Sequence, residues 1–353
     1  MELNLNVIGI ILSFLSLERL IEIYKLGNLQ INNAIANYSF DFYDQPIPYD
    51  VTLTEFRNMF PLAIGVNLCH RKDITDDEFI ANILPRYNPK SKRDRILKIN
   101  IRFCKNLTNA AFVPLNGLIH TLNMSNCKQA GVTDAAFAYL RGIHTLNMWS
   151  CDQKEITNAA FLNLQGIHTL IMTECTQITD DAFVNLRGIH TLEMSLCNKE
   201  NITDAAFVHL RGVHTLKMFD CNQITDAAFV HLRGIHTLDM SLCMKITDAA
   251  FEHIVGIHTL TIWKCNQITD IAFTHLRGVH TLNMSQCNQI TDAAFANLCG
   301  IHTLIMAHCN QASITDTALN YLTGINTLSI RGCNQKGITN AVFAKLGVTN
   351  LYR

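Results

Sequence analysis

Three reactive side chains return with almost every turn of this sequence: a histidine, a cysteine and an aspartate. In "GIHTLDMSLCMKITDAAFEHIV" (234–255) they are His236, Cys243 and Asp248. A thiol, a base and a carboxylate are the parts of nucleophilic catalysis, and cysteine with histidine is a zinc donor set. Repetition argues against both. Twelve of the thirteen cysteines (Cys69, Cys104, Cys127, Cys151, Cys175, Cys197, Cys221, Cys243, Cys265, Cys287, Cys309 and Cys333) hold one place in the phrase, and only Cys299 stands outside it. Nine histidines, from His120 to His302, recur in front of "TL", or in one case of "TLT", and four more stand just before a helix end. An active site needs one differentiated constellation in a cleft, and here there are many equal copies. The expectation is no catalytic residue, no metal and no cofactor.

Spacing says what the columns do instead. Stacked parallel strands place equivalent side chains about 4.8 Å apart, pointing the same way. A disulfide needs Cβ atoms about 3.8 Å apart and turned toward each other. The cysteines therefore form a column of buried free thiols acting as small hydrophobes. Imidazoles about 5 Å apart cannot all be charged, because at an effective dielectric of about 20 a charged pair repels by about 3 kcal/mol. Their folded pKa values fall below the unfolded value, so stability is present above about pH 6.5 and lost on acidification.

The elements that position these columns are written into each repeat. Leu238 and Met240 alternate with Thr237, Asp239 and Ser241, the period of a short strand with one buried face. Phe251 and Ile254 then follow Ala249 and Ala250 at helical spacing. Thr247 is an N-cap, Asp248 places a carboxylate at the positive helix end, and Ile246 staples to Phe251. Gly256 supplies the left-handed residue that ends the helix, with a cation beside it where the phrase reads "LRG". Such a unit cannot bury its own apolar face, but stacked neighbours can.

The pattern "TLxMxxCxxITDxxFxxL" resembles the cysteine-containing subtype of leucine-rich repeat over residues 62–353, in about twelve repeats. The resemblance implies an α/β solenoid: a horseshoe with a parallel concave sheet and outer helices, carrying a small N-terminal helical segment. The first repeat, "AIGVNLCHRKDITDDEFIANI", is followed by an insertion containing "RYNPKSKRDR" (86–95), read as a solvated loop. The last residues, "GVTNLYR", begin a strand whose edge is open to a partner.

Variation among repeats separates scaffold from payload. The position between strand leucine and methionine carries Asn147, Glu193, Lys217 and Asp239, and the strand end carries Trp149, Phe219 and Trp263 among serines. Aromatic residues displayed on a rigid sheet fit a protein-binding hot spot. One strand per repeat puts Trp149 and Phe219 about 15 Å apart and Trp263 about 10 Å further. Two-residue extensions, as in "CDQKEIT" and "CNKENIT", form a candidate second rim.

Residues 1–40 contain "LNLNVIGIILSFLSLERLIEIYKLGN" (3–28), which resembles an F-box, with Asn6 and Val7 where that motif carries Pro-Glu. F-box proteins with this repeat subtype are substrate receptors of cullin-type ubiquitin ligases. The resemblance implies a Skp-type adaptor held by Ile8, Ile11, Leu12, Leu15 and Leu20, an unidentified target protein on the concave face, and no chemistry of its own. The same repeats also occur in large DNA viruses. The other reading is a free-standing interaction scaffold or inhibitor whose first 40 residues only cap the solenoid. Residues 41–61, with Pro46 and Pro48, read as a connector.

Charge is balanced, at Lys+Arg 28 against Asp+Glu 29, which is no footprint for nucleic acid or an anionic membrane. The uncharged stretch 3–17 is short for a bilayer span and lacks the flanks of a secretory signal. A cytoplasmic location is expected, the host cytoplasm if the chain is viral, with the nucleus also allowed.

Overall fold

A computed structural model describes residues 5–86, 97–197 and 201–353. The chain divides into two compact units, Met1–Leu170 and Ile171–Arg353. Most of the basic run 86–95 and part of the loop "CNKENIT" lie outside the described residues.

The first unit begins with helices α1 (Leu5–Leu12), α2 (Leu17–Lys25) and α3 (Leu29–Ala36). Ser16 starts α2 by accepting from the Arg19 backbone N–H, and Leu17, Leu20 and Ile21 form its buried stripe. The segment 41–61 is packed core rather than a loose connector. Its helix α4 (Leu53–Met59) opens with a capping box between Thr52 and Glu55. Phe40, Phe42, Phe56 and Phe60 are buried and meet ring to ring, Phe42 and Phe60 at 5.0 Å. Arg57 is only 1% exposed. Its guanidinium donates to the carbonyls of Asn82, Phe60, Ala63 and Ile83 at 2.7–3.2 Å. Burial pulls its pKa down to about 10. Proline composition suggested a linker; the alternating aromatics instead seal the open side of the first repeat, which a solenoid needs.

Strands β1 (Gly65–Asn67), β2 (Leu97–Asn100), β3 (Ile119–Asn123) and β4 (Thr145–Asn147) follow, each parallel to the next. Gly65 has no room for a side chain, because an added Cβ would fall 1.9 Å from the Asp41 carboxylate and 2.6 Å from the Phe42 amide. The cap thus lies directly on β1.

In the second unit, parallel strands again succeed one another in chain order, and like letters lie side by side. Thr215 faces Thr237 and Leu216 faces Leu238; the next strand repeats the register with Thr259 and Leu260. Leu238, Met240, Cys243, Ile246, Ala250 and Phe251 are buried in one repeat, as their counterparts are in the next. Full burial of one such side chain contributes about 1.5–3 kcal/mol. The architecture is the parallel-strand solenoid with outer helices that the period required.

Two features depart from the sequence reading. About half of the outer helices are 3-10 rather than α, as at Asp248–His253. A 3-10 turn rises about 2.0 Å per residue against 1.5 Å for an α-helix, so six residues cover more of the return path. The Asp row also does more than balance a helix end. Asp226 accepts from the Thr247 backbone N–H at 2.7 Å and from its hydroxyl at 2.6 Å. The same pairing runs from Asp270 to Thr291 and from Asp292 to Thr315. Each carboxylate therefore ties its repeat to the following one.

Candidate binding surface

The strand-end positions are set by a turn that the sequence did not announce. After most strands one residue that is not glycine adopts a left-handed conformation, as with Asp220 at φ 56°, Leu242 at 59° and Lys264 at 59°, whereas Gly332 fills that slot after Thr327–Ser329. Such backbone costs about 1–2 kcal/mol per residue and is held by cross-repeat bonds, as where the Leu242 N–H donates to the Trp263 carbonyl at 3.0 Å. Asn147 and Asp239 serve the same turn. Asn147 Oδ1 accepts from the Trp149 N–H at 3.0 Å, and Asp239 Oδ1 accepts from the N–H and hydroxyl of Ser241 at 3.0 and 2.6 Å. These two expected target contacts have one oxygen each engaged in closing the strand.

Glu193 and Lys217 sit opposite each other on paired strands and form an ion pair at 3.3 Å. Phe219 and Trp263 are both half-buried, and their rings stack with centroids 6.0 Å apart and planes 11° apart. The separation of about 10 Å expected from strand spacing describes the backbone; the intervening Ser241 is small and buried, so the rings close over it. Lys264 lies over the outer Trp263 ring at 4.6 Å. The result is one aromatic platform with a cation beside it, flanked by the Glu193–Lys217 pair's repeats.

Trp149 belongs to the first unit and to a cluster missed in the sequence. The Arg102 guanidinium lies 5.3 Å from the Trp149 ring and 4.8 Å from the Phe103 ring, and His70 stacks on Phe103 at 4.4 Å. A signal was present: Arg102 stands in the strand-end slot of its own repeat. Its cation–π partners, rather than solvent, define what Trp149 can offer.

The chemistry-bearing columns have structural partners. Cys243 Sγ donates to the Met218 carbonyl at 3.1 Å, and Cys265 Sγ to that of Met240 at 3.3 Å. Burial pushes the Cys243 thiol up to about 12 and the Cys265 thiol up to about 11, so neither is a thiolate nucleophile near neutrality. Among the described residues every cysteine is a free thiol, with Cys299 exposed. The histidines stack as expected: His236 lies 4.5 Å from His214 and 4.5 Å from His258, with Nδ1 3.1 Å from the Thr237 hydroxyl. Desolvation, then the neighbouring imidazoles, holds the His236 pKa below its usual value; His280 behaves alike.

At the other end of the chain, the five expected adaptor contacts part company. Ile11 is exposed, Ile8 and Leu15 are half-buried, and Leu12 and Leu20 are buried against the other helices. Ile10 and Phe14, not singled out in the sequence, are exposed.

A repeat-family pattern matches six copies in this chain, over residues 102–214, 130–258, 200–326 and 244–352, described as the BspA type leucine rich repeat region. The chain belongs to the BspA-type leucine-rich repeat family. Solved structures agree on the fold of this leucine-rich repeat protein. A chain of the TLR13–ssRNA13 complex is similar over 90% of this chain and 53% of its own, at 15% identity and TM-score 0.59. A chain of the Toll–Spatzle complex of Drosophila is similar over 86% and 44%, at 13% identity and TM-score 0.57. One from the mouse RP105/MD-1 complex covers 81% and 58%, at 12% identity and TM-score 0.51. The leucine-rich repeat chain spans about half the length of these three. No curated protein matches it. It is an interaction scaffold of leucine-rich repeats, and no helix among its described residues is long and apolar enough to cross a membrane.

Proposed function

We propose that this chain is the substrate-recognition subunit of a cullin-type ubiquitin ligase. Residues 1–40, as an F-box-like segment, dock a Skp-type adaptor, and the strand face of the repeats holds the target protein. The observation that supports this reading is apolar exposure along α1 and the turn after it. Ile10 is 52% exposed, Ile11 58% and Phe14 85%, while Leu12, Leu17 and Leu20 seal the helices from within. A segment that served only as a cap would gain by turning its largest apolar side chains inward. The Phe219–Trp263 platform and the Arg102–Trp149 cluster supply aromatic and cationic anchors for a target. The chain performs no catalytic step in this reading; transfer belongs to another subunit.

The free-standing scaffold reading draws support from Leu12 and Leu20, which are spent on internal packing, and from the sealed segment 41–61. Copurification with a Skp-type adaptor separates the two. The full chain should capture the adaptor, and Ile11→Asp with Phe14→Asp should abolish capture while leaving the thermal melt unchanged. Capture by the double variant, or none by the unaltered chain, would favour the scaffold. Removing residues 1–57 is the wrong comparison, because it takes away Phe40, Phe42 and Phe56 and with them the cover of β1.

A further inference from the structure

In the second unit, the turns from helix to strand build an edge of one sign. Arg187, Arg211, Arg233 and Arg277 each stand just before the left-handed glycine that ends a helix, and all four are exposed. Three are tethered through Nε to the next repeat: Arg187 to His209 Nδ1 at 3.2 Å, Arg211 to His231 Nδ1 at 3.4 Å, Arg277 to Asn297 Oδ1 at 3.2 Å. The tether orders the side chain without using the Nη pair that forks onto carboxylates. Among the described residues none of the four forms an ion pair with a carboxylate.

Three residues after each arginine comes a member of the imidazole ladder, which runs from His190 to His302 in rings 4.5 Å apart. From each helix phenylalanine to the following strand, these repeats contain one carboxylate, Glu252, which lies 3.3 Å from His253. The aspartates at the helix starts, such as Asp226, Asp270 and Asp292, are bonded to threonines of the following repeat, and Asp220 and Asp239 stand at the strand ends instead. Between His190 and His302 these turns carry no tryptophan or tyrosine, and their phenylalanines are buried, so the ring they offer a base is imidazole, which becomes cationic as the pH falls. A flexible chain of carboxylates is the partner this edge complements.

We propose that the helix-to-strand edge of the second unit docks an extended acidic segment of a partner protein, and that acidification tightens the contact. The groups facing the ladder are its own neighbouring rings, the threonine hydroxyls on Nδ1, the arginine column one turn away, and the His209 and His231 rings that accept from it. Apart from Glu252, which pairs with His253, the groups of this edge are neutral or cationic, so each proton added to the ladder raises repulsion that an acidic segment relieves. Binding and protonation therefore favour one another. None of these arginines and histidines belongs to the Phe219–Trp263 platform or to α1, so the test uses residues other than those of adaptor capture.

Poly-L-aspartate of defined length, titrated into the full chain at low salt and followed by fluorescence anisotropy, is the probe. Affinity should rise about tenfold between about pH 7.5 and pH 6. At about pH 7.5, R187Q/R211Q/R233Q/R277Q should weaken binding about tenfold or more, by loss of charge-assisted contacts. Glutamine already fills the equivalent slot at Gln165, and the single variants R187Q and R211Q, each expected to weaken binding about threefold, serve if the quadruple variant fails to fold. H214N/H236N/H258N should keep the binding seen at the higher pH and lose the gain on acidification. The F14D variant should bind like the unaltered chain. Absence of binding, indifference to the arginine variants, a flat pH profile, or equal affinity for single-stranded DNA of matched charge would each overturn the proposal.

Discussion

The N-terminal cap and the repeats of the second unit solve the same problem by opposite means. In the repeats every column is self-complementary: leucine meets leucine, threonine meets aspartate, imidazole meets imidazole. In the cap nothing repeats, and sealing depends on single, irreplaceable groups such as Arg57 and the Phe40–Phe42–Phe56–Phe60 cluster. The repeats expose apolar side chains singly along their outer elements, as at Val184, Val230, Val255 and Ile271, whereas the cap leaves Ile10, Ile11 and Phe14 in solvent within five residues of chain. Periodic packing thus reveals what is scaffold, and departures from it reveal what is available for partners.

That contrast can be broken most forcefully inside a repeat. Phe229→Ala should cost about 3–5 kcal/mol, as for other buried phenylalanines, while Phe14→Ala should change stability by less than about 0.5 kcal/mol, as at exposed sites. Urea denaturation measures both, and equal losses would mean that α1 is as tightly packed as the core. Arg57→Met should follow at about 3 kcal/mol, because it leaves several buried carbonyls without a donor; a neutral result would show that the cap does not depend on its buried Arg57. Thr247→Ala, which removes both an N-cap and a bond to Asp226, should cost about 1 kcal/mol.

Smaller effects sharpen the comparison rather than test it to destruction. His120, His236 and His280 carry pKa values held below the usual one, by desolvation first and then by neighbouring charge, so the unfolded chain binds protons first as the pH falls. Stability is then full above about pH 6.5 and declines below it, toward the lowered folded values. The urea midpoint should show this, and H214N/H236N/H258N should flatten the decline. The least energetic test is chemical: a thiol reagent should label Cys299 in the native chain and reach Cys243 and Cys265 only on unfolding.

Much of the second unit was legible because one residue letter, repeated at a constant interval, has one packing environment. The register of Leu216 on Leu238 on Leu260, the thiol column and the stacked imidazoles all follow from that. The strand-face site was legible only in part. Phe219 and Trp263 stood out by size, yet their stacking depends on ring orientation over a serine, which spacing does not specify. Arg102 was missed because its meaning comes from Phe103 and Trp149 in neighbouring positions. Residues 41–61 were misread because proline content reports a turn and says nothing of what an aromatic residue packs against.

Periodicity by itself therefore determined the solenoid, its columns and the inward-facing residues, since translational repetition turns a one-dimensional pattern directly into contacts. Only the tertiary structure decided which carboxylate binds the next repeat, which rings meet, and which apolar residues of α1 remain in water. Those outcomes depend on side-chain direction and on contacts between segments with no shared period, and such contacts exist only once the chain is folded.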